Sequence, residues 1–175
     1  SWNPYVKLLR VEDLDKARSP QKYANQLEAD LRFLGFDWDA GGSWGGPHAP
    51  YYQSERTTFY QELLDKLQSR GLIYPCFCTR AQLHALRLRV PDETVSFSDG
   101  HYGLCRQHLA AECGDIIVRR ADGVFAYQLA VVADDAAMGV TQVVRGRDLL
   151  LSTPRQLYLF RLLGAPPPSY FHLPL

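Results

Sequence analysis

Hydrophobic and polar positions change period several times along the chain, and each change marks an element. VKLLRV (6–11) is an apolar run of the kind a buried strand uses. It gives way to the acidic cluster Glu12-Asp13-Leu14-Asp15, where a loop is expected. Ser19-Pro20 reads as a hydroxyl N-cap followed by proline at the first helical position. Tyr23, Leu27, Leu31 and Leu34 then recur at helical spacing, with Gly35 as the left-handed stop. Residues 40–50, AGGSWGGPHAP, are a loop of chain breakers. A second helix follows from Ser54, with Phe59, Leu63, Leu64 and Leu67 on one face and Gly71 beyond its end. LIYPCFC (72–78) is extended.

The stretch DIIVRRADGVFAYQLAVVAD (115–134) predicts a hairpin, because two apolar runs flank Asp122-Gly123, a pair suited to a tight primed turn. GVTQVVRG (139–146) predicts a further strand. Ser152-Thr153-Pro154 opens a last helix carrying Leu157, Phe160 and Leu163 before Gly164. Strands alternating with helices define an α/β fold with a largely parallel sheet, whose ligands lie beyond the carboxyl ends of the strands.

Composition narrows the picture. The 175 residues are 46% hydrophobic and 22% charged, an ordinary globular balance. Nineteen basic residues face nineteen acidic ones, so any nucleic-acid contact has to be a local patch. No apolar run approaches the roughly 20 residues of a membrane span. The start, SWNPYVKLL, lacks the features of a signal peptide. Four cysteines are too few for a disulfide scaffold, and a reducing, cytoplasmic setting is expected. Cys76 and Cys78, one residue apart, suit metal ligation better than a mutual disulfide.

The polar residues at strand exits are the ones to question. Glu12 and Asp13 follow the first strand, Tyr127 lies in the second hairpin strand, and Arg145 and Asp148 follow GVTQVV. A carboxylate for an ammonium, a guanidinium fork for a carboxylate and a phenol for orientation would suit a small zwitterion. The alternatives are a solvated or capping acid at Glu12 and a structural Arg145–Asp148 pair. Trp38 and Trp44 flank the glycine-rich loop and could stack on a base, although Trp38 better fits a core anchor. Arg119 and Arg120 suit a solvated hairpin edge more than an RNA contact.

LLRVEDLDKAR (8–18), YYQSERTTFYQELLDKLQSRGLIYPCFCT (51–79) and the whole of residues 125–175 resemble the catalytic domain of class I aminoacyl-tRNA synthetases of the glutamate branch. Conventional glutamyl-tRNA synthetases read like T-Y-N-F-A before the paired aspartates and R-G-E-E-H-L-x-N-T after the arginine. This chain has Ala126-Tyr127-Gln128-Leu129-Ala130, Arg145-Gly146-Arg147-Asp148-Leu149-Leu150 and Ser152-Thr153, with Cys-x-Cys at 76–78. These variants are similar to the glutamyl-Q branch, which attaches glutamate to queuosine in tRNA(Asp).

The resemblance implies a Rossmann-like nucleotide-binding fold with a small insertion: residues 1–78 as the first part of the catalytic domain, 79–114 as the insertion and 115–175 as the second part. It implies ATP and L-glutamate as substrates, tRNA(Asp) as partner and a cytoplasmic monomer. Glu12 would meet the α-ammonium of L-glutamate, Arg145 a carboxylate and Tyr127 would supply a hydroxyl. Asp148 and His172 are candidates for supporting or adenylate-side positions, or for capping and core roles.

The family's H-x-G-H-like phosphate turn belongs before Ser1 and its K-M-S-K-S-like loop after Leu175, so residues 1–175 are expected to carry the amino-acid half of an active site. The same resemblance implies zinc on Cys76 and Cys78. One alignment completes the knuckle with His101 and Cys105. A better one matches residues 86–100 to the stretch that follows the knuckle, so that it has dropped out near Ala85-Leu86. A conventional synthetase fragment and a non-catalytic amino-acid- or RNA-binding paralogue are the competing readings.

Overall fold

Residues 5–77 and 85–174 are described in a computed structural model. The chain divides into two compact units, residues 1–59 and 60–175. In the first, only Leu8–Leu9 of the apolar run forms a strand, β1, parallel to β2 (Ala40–Gly41). Val11 extends the pairing through an isolated bridge to Tyr52. The approach is close enough that a Cβ on Gly41 would sit 1.9 Å from the Leu9 carbonyl oxygen. With φ at +109°, that position accepts only glycine.

The first helix, α1, runs from Gln21 to Phe33 and ends at Gly35 in the left-handed conformation, as its sequence predicts. Its start differs. Pro20 occupies the N-cap position, and no side chain caps the helix, so Ser19 does not serve. The expected apolar face also does not form the core: Tyr23, Leu27 and Leu34 are exposed, while Ala24 and Glu28 are buried. The cause is polar. The Glu28 carboxylate accepts hydrogen bonds from the backbone N–H of Ser43 (2.8 Å), its hydroxyl (2.5 Å) and the Tyr52 hydroxyl (3.3 Å). Satisfying the loop's donors turns that face of α1 inward. Trp38 is buried, as expected of an anchor, and Trp44 is exposed; the Arg32 guanidinium lies about 5 Å from both rings.

The second helix, α2 (Thr57–Ser69), follows a short 3-10 turn at Gln53–Glu55 and buries Tyr60, Leu64 and Leu67. In the second unit, β3 (Ile73–Cys76), β4 (Ala85–Leu88) and β7 (Ile116–Arg119) form an antiparallel sheet in the order β3-β4-β7. A four-stranded sheet has the order β6-β5-β9-β8, from β5 (Thr94–Asp99), β6 (Gly103–His108), β8 (Gln142–Gly146) and β9 (Ser169–Leu173). β8 and β9 are parallel over five residue pairs, β5 meets β9 in parallel at Asp99–Tyr170, and β5–β6 is an antiparallel hairpin. Parallel pairing among the described residues is thus confined to β1–β2 with the Val11–Tyr52 bridge, β5–β9 and β8–β9, less than a largely parallel sheet.

The 115–134 hairpin is the main misreading. The turn at Asp122-Gly123 is present, with Gly123 at φ +87° and only a single bridge, Arg119–Phe125, beyond it. The second arm is a helix, α3 (Tyr127–Ala137), and Tyr127 is its first residue. LAVVADDAA is buried from Leu129 to Asp135, and an apolar run without clear period is equally compatible with a buried helix. The last helix, α4 (Thr153–Leu163), has Ser152 at its N-cap, proline in its first turn and Gly164 as its left-handed stop, as predicted.

The buried helix α3 brings a carboxylate into the core, and it is met there. The fully buried Tyr60 hydroxyl donates to Asp134 Oδ2 at 2.8 Å. Tyr60→Phe removes that donor while leaving the acid buried, and is expected to cost about 1–3 kcal/mol in urea denaturation. A loss below ~0.5 kcal/mol would mean the bond contributes no more than an average surface contact.

Candidate functional site

In the first unit, the strand exit opens onto a cleft of about 380 Å³ lined by residues including Glu12, Asp13, Ser19, Tyr23 and Leu27. Asp13 is buried and accepts from the backbone N–H of Ser54 (2.9 Å) and its hydroxyl (2.7 Å), fixing the segment ahead of α2. Glu12 is 44% exposed, with Oε1 3.8 Å from Arg10 Nη2. Of the two adjacent acids, Asp13 is spent on the fold and Glu12 faces the cleft.

The second unit gathers the other predicted residues around one cation. Arg145 lies near the carboxyl end of β8, half-buried, and the β8–β9 register sets it opposite His172. Its Nε–H donates to His172 Nε2 (3.0 Å), Nη1 to Gln156 Oε1 (2.8 Å), and Nη2 to the Leu149 carbonyl (3.2 Å) and Thr153 Oγ1 (2.8 Å). The guanidinium carbon sits 5.1 Å from the Tyr170 ring centre. Asp148, weighed above as its partner, is not among these contacts. Four of five N–H groups therefore have acceptors among the described residues. The fifth, on Nη1, is fewer than the two a bidentate carboxylate takes. A ligand carboxylate here takes one direct N–H and the charge, or displaces Gln156.

Tyr127 belongs to the same neighbourhood through Tyr170. Burial raises the Tyr170 hydroxyl's pKa well above the ordinary phenol value; Arg145 opposes the rise, and Asp135 and Tyr127 add to it. Tyr170 is a neutral phenol at any working pH.

Two groups that sequence reasoning did not single out complete the cluster. Gln156 passes its amide hydrogen to Gln128 Oε1 (3.0 Å), and Gln128 donates to Ser152 Oγ (3.1 Å). Because arginine only donates, the direction of this chain is fixed from Arg145 outward. Gln128 and Ser152 both depart from the conventional glutamyl-tRNA synthetase pattern, and here they bond to each other. Asp99, at the end of β5, has Oδ2 2.6 Å from His172 Nδ1, and both side chains are fully buried. Its Oδ1 accepts from the backbone N–H groups of His101 and Tyr102, each at 3.0 Å. Nothing local in SFSDG marks Asp99; only the fold brings it to His172.

The metal reading fares differently. Cys76 is buried in β3, and Cys78 lies outside the described residues. Among the described residues no group of three or more His, Cys, Asp and Glu could hold a metal ion. Cys105 is a free thiol on β6 whose pKa is raised by burial and by Asp99. The described residues therefore do not furnish a zinc site, and Cys76, His101 and Cys105, the described members of the first knuckle alignment, are not grouped as one. No described helix is long and apolar enough to cross a membrane.

The sequence and the fold are those of a known class. Residues 7–89 and 80–175 match the family model "tRNA synthetases class I (E and Q), catalytic domain", and the chain belongs to that family. It is 47% identical to the glutamyl-Q tRNA(Asp) synthetase of Nitratidesulfovibrio vulgaris, covering 96% of this chain and 63% of that one. Identity to the protein of the same name from Symbiobacterium thermophilum is also 47%, over 96% and 64% of the two chains. A glutamate tRNA ligase from Elizabethkingia meningosepticum, crystallised in complex with its amino acid, superposes with a TM-score of 0.84 at 25% identity, over 96% of this chain and 42% of that one.

The chain thus spans somewhat under two thirds of the length of the curated relatives. The alignment to the first runs over 206 residues, more than the 175 available, so that relative has internal residues without a counterpart here. The family match itself breaks and overlaps at residues 80–89. That is where the alignment with a dropped-out knuckle puts the gap.

The Asp99–His172 contact makes a pH prediction. Burial pushes the Asp99 carboxyl up, but hydrogen bonds from His172 and from the backbone N–H groups of Tyr102, His101 and His172 outweigh it and hold the pKa at about 2. With the folded value below the unfolded one, the stabilisation is complete above about pH 4 and is lost as pH falls through about 2. Acid denaturation is expected to show this slope in the native protein and to lose it in Asp99→Asn. An unchanged slope in that variant would assign the acid sensitivity to other carboxylates.

Proposed function

We propose that the protein of which this chain is part activates L-glutamate with ATP and transfers the glutamyl group to queuosine in tRNA(Asp). The observation that carries this reading is the 47% identity, over 96% of the chain, to proteins named glutamyl-Q tRNA(Asp) synthetase. The geometry adds a chemical reason. A half-buried guanidinium, held at a strand end against the Tyr170 ring, suits the carboxylate of a small amino acid.

In this reading Glu12 takes the α-ammonium, Arg145 a carboxylate, and Tyr127 gives a hydroxyl and a wall. A glutamate carboxylate oxygen attacks the α-phosphate of ATP, pyrophosphate leaves, and the acyl group passes to the RNA nucleophile. Such a reaction depends on positioning and charge rather than on covalent help from side chains. Residues 1–78 and 115–175 act as the two parts of the catalytic domain and 79–114 as the insertion. Zinc at Cys76 and Cys78 is supported only by their spacing, and no step of the reaction runs through it. The protein is taken to work as a cytoplasmic monomer.

Pyrophosphate exchange by the full-length protein tests the reading. Glutamate-dependent exchange without tRNA is expected; exchange that appears only with tRNA would favour a conventional glutamyl-tRNA synthetase, and none under either condition a non-catalytic paralogue. Arg145→Ala is expected to reduce glutamate-dependent exchange by roughly a hundred-fold to several thousand-fold, from about 3–5 kcal/mol for a lost charge partner. A rate within a few-fold of the native one would remove Arg145 from the site.

A further inference from the structure

Arg145 donates at every pH and accepts nothing. The nitrogen of His172 that meets it, Nε2 at 3.0 Å, must therefore present a lone pair. The other ring nitrogen, Nδ1, lies 2.6 Å from Asp99 Oδ2 and must carry the proton for that contact to be a hydrogen bond. Asp99 cannot easily reverse this arrangement, because its second oxygen is engaged by the backbone N–H groups of His101, Tyr102 and, at 3.4 Å, His172. All three side chains are fixed by strand register: Arg145 opposite His172, and Asp99 opposite Tyr170, two residues from His172 on the same strand. Both Asp99 and His172 have 0% side-chain exposure, so no water can substitute for either partner.

We propose that Asp99 and His172 are positioning residues for glutamate: the carboxylate selects the Nδ1–H tautomer, and the lone pair so exposed on Nε2 holds the Nε edge of Arg145, leaving an Nη1 N–H for the substrate carboxylate. The inference rests on the assignment of Arg145 to glutamate. It also gives the β5–β6 hairpin, part of the insertion, a function: it delivers the carboxylate that sets the tautomer. The same logic operates where a carboxylate orients a metal-ligating imidazole.

Asp99→Asn makes the sharpest variant. The backbone N–H groups keep the amide oxygen, so the amide NH2 turns toward His172 Nδ1. That donor forces the proton to Nε2, where it opposes the Nε–H of Arg145. His172→Phe removes the acceptor, while the amide oxygen of His172→Gln can restore it.

Long-range 1H–15N spectra of histidine-labelled full-length protein are expected to show the Nδ1–H tautomer for His172, switching to Nε2–H in Asp99→Asn. In pyrophosphate exchange, Asp99→Asn and His172→Phe are expected to raise the glutamate KM by about tenfold or more, with the ATP KM within about twofold, and His172→Gln to recover most of the loss. An Nε2–H tautomer in the native protein overturns the proposal. So does an unchanged glutamate KM in the substituted proteins while Arg145→Ala is defective. If Asp99→Asn does not fold, the His172→Phe and His172→Gln comparison decides in its place. Arg145→Ala with a normal glutamate KM would instead remove the parent reading, and this one with it, whatever the tautomer.

Discussion

A guanidinium that can only donate sets the terms for much of the second unit. Arg145 needs acceptors on every side, and the turn and helix that follow β8, with β9, supply them: an imidazole lone pair, a glutamine oxygen, a main-chain carbonyl and a threonine hydroxyl. Two of these acceptors are oriented by what they donate to in turn. His172 gives its proton to Asp99, and Gln156 gives its amide hydrogen to Gln128, which donates to Ser152. The polarity of the network spreads outward from one charge. A buried network of this kind is rigid only when its members are satisfied, and at Arg145 four of the five N–H groups have acceptors among the described residues.

Much of the architecture was legible from local pattern where local chemistry decides it. The stop at Gly35, the helix opened by Ser152-Thr153-Pro154 and closed by Gly164, and strand β8 all follow from caps and periods that need no tertiary knowledge. The failures have tertiary causes. LAVVADDAA lacks a clear period because both sides of α3 are buried, so a strand and a helix were equally compatible with it. The Tyr23-Leu27-Leu34 stripe has a strong helical period, yet that face is exposed because Glu28 is needed against the glycine-rich loop.

The candidate site divides in the same way. Arg145 and Tyr127 were recognisable because they stand in a long stretch of family-like sequence, and Glu12 because it follows the first strand. Asp99 and His172 were not joined in advance, since 73 residues separate them and only the β5–β9 register brings them together. The fork expected of Arg145 was also changed by the fold, because its partners leave one N–H rather than two. Gln128 and Ser152 were visible only as departures from a pattern; their hydrogen bond gives those departures a shared physical basis.

The claim that ties the fold to the chemistry is that this fixed guanidinium meets the amino-acid carboxylate. The most direct measurement is the Arg145 side-chain 1H–15N resonances in full-length protein carrying 15N-labelled arginine, assigned by loss in Arg145→Lys and followed as L-glutamate is added. The account predicts an exchange-protected Nε–H in the free protein, held by His172, and a shift of the Nη1 signals that saturates with glutamate. Resonances that stay unmoved at saturating glutamate would contradict it.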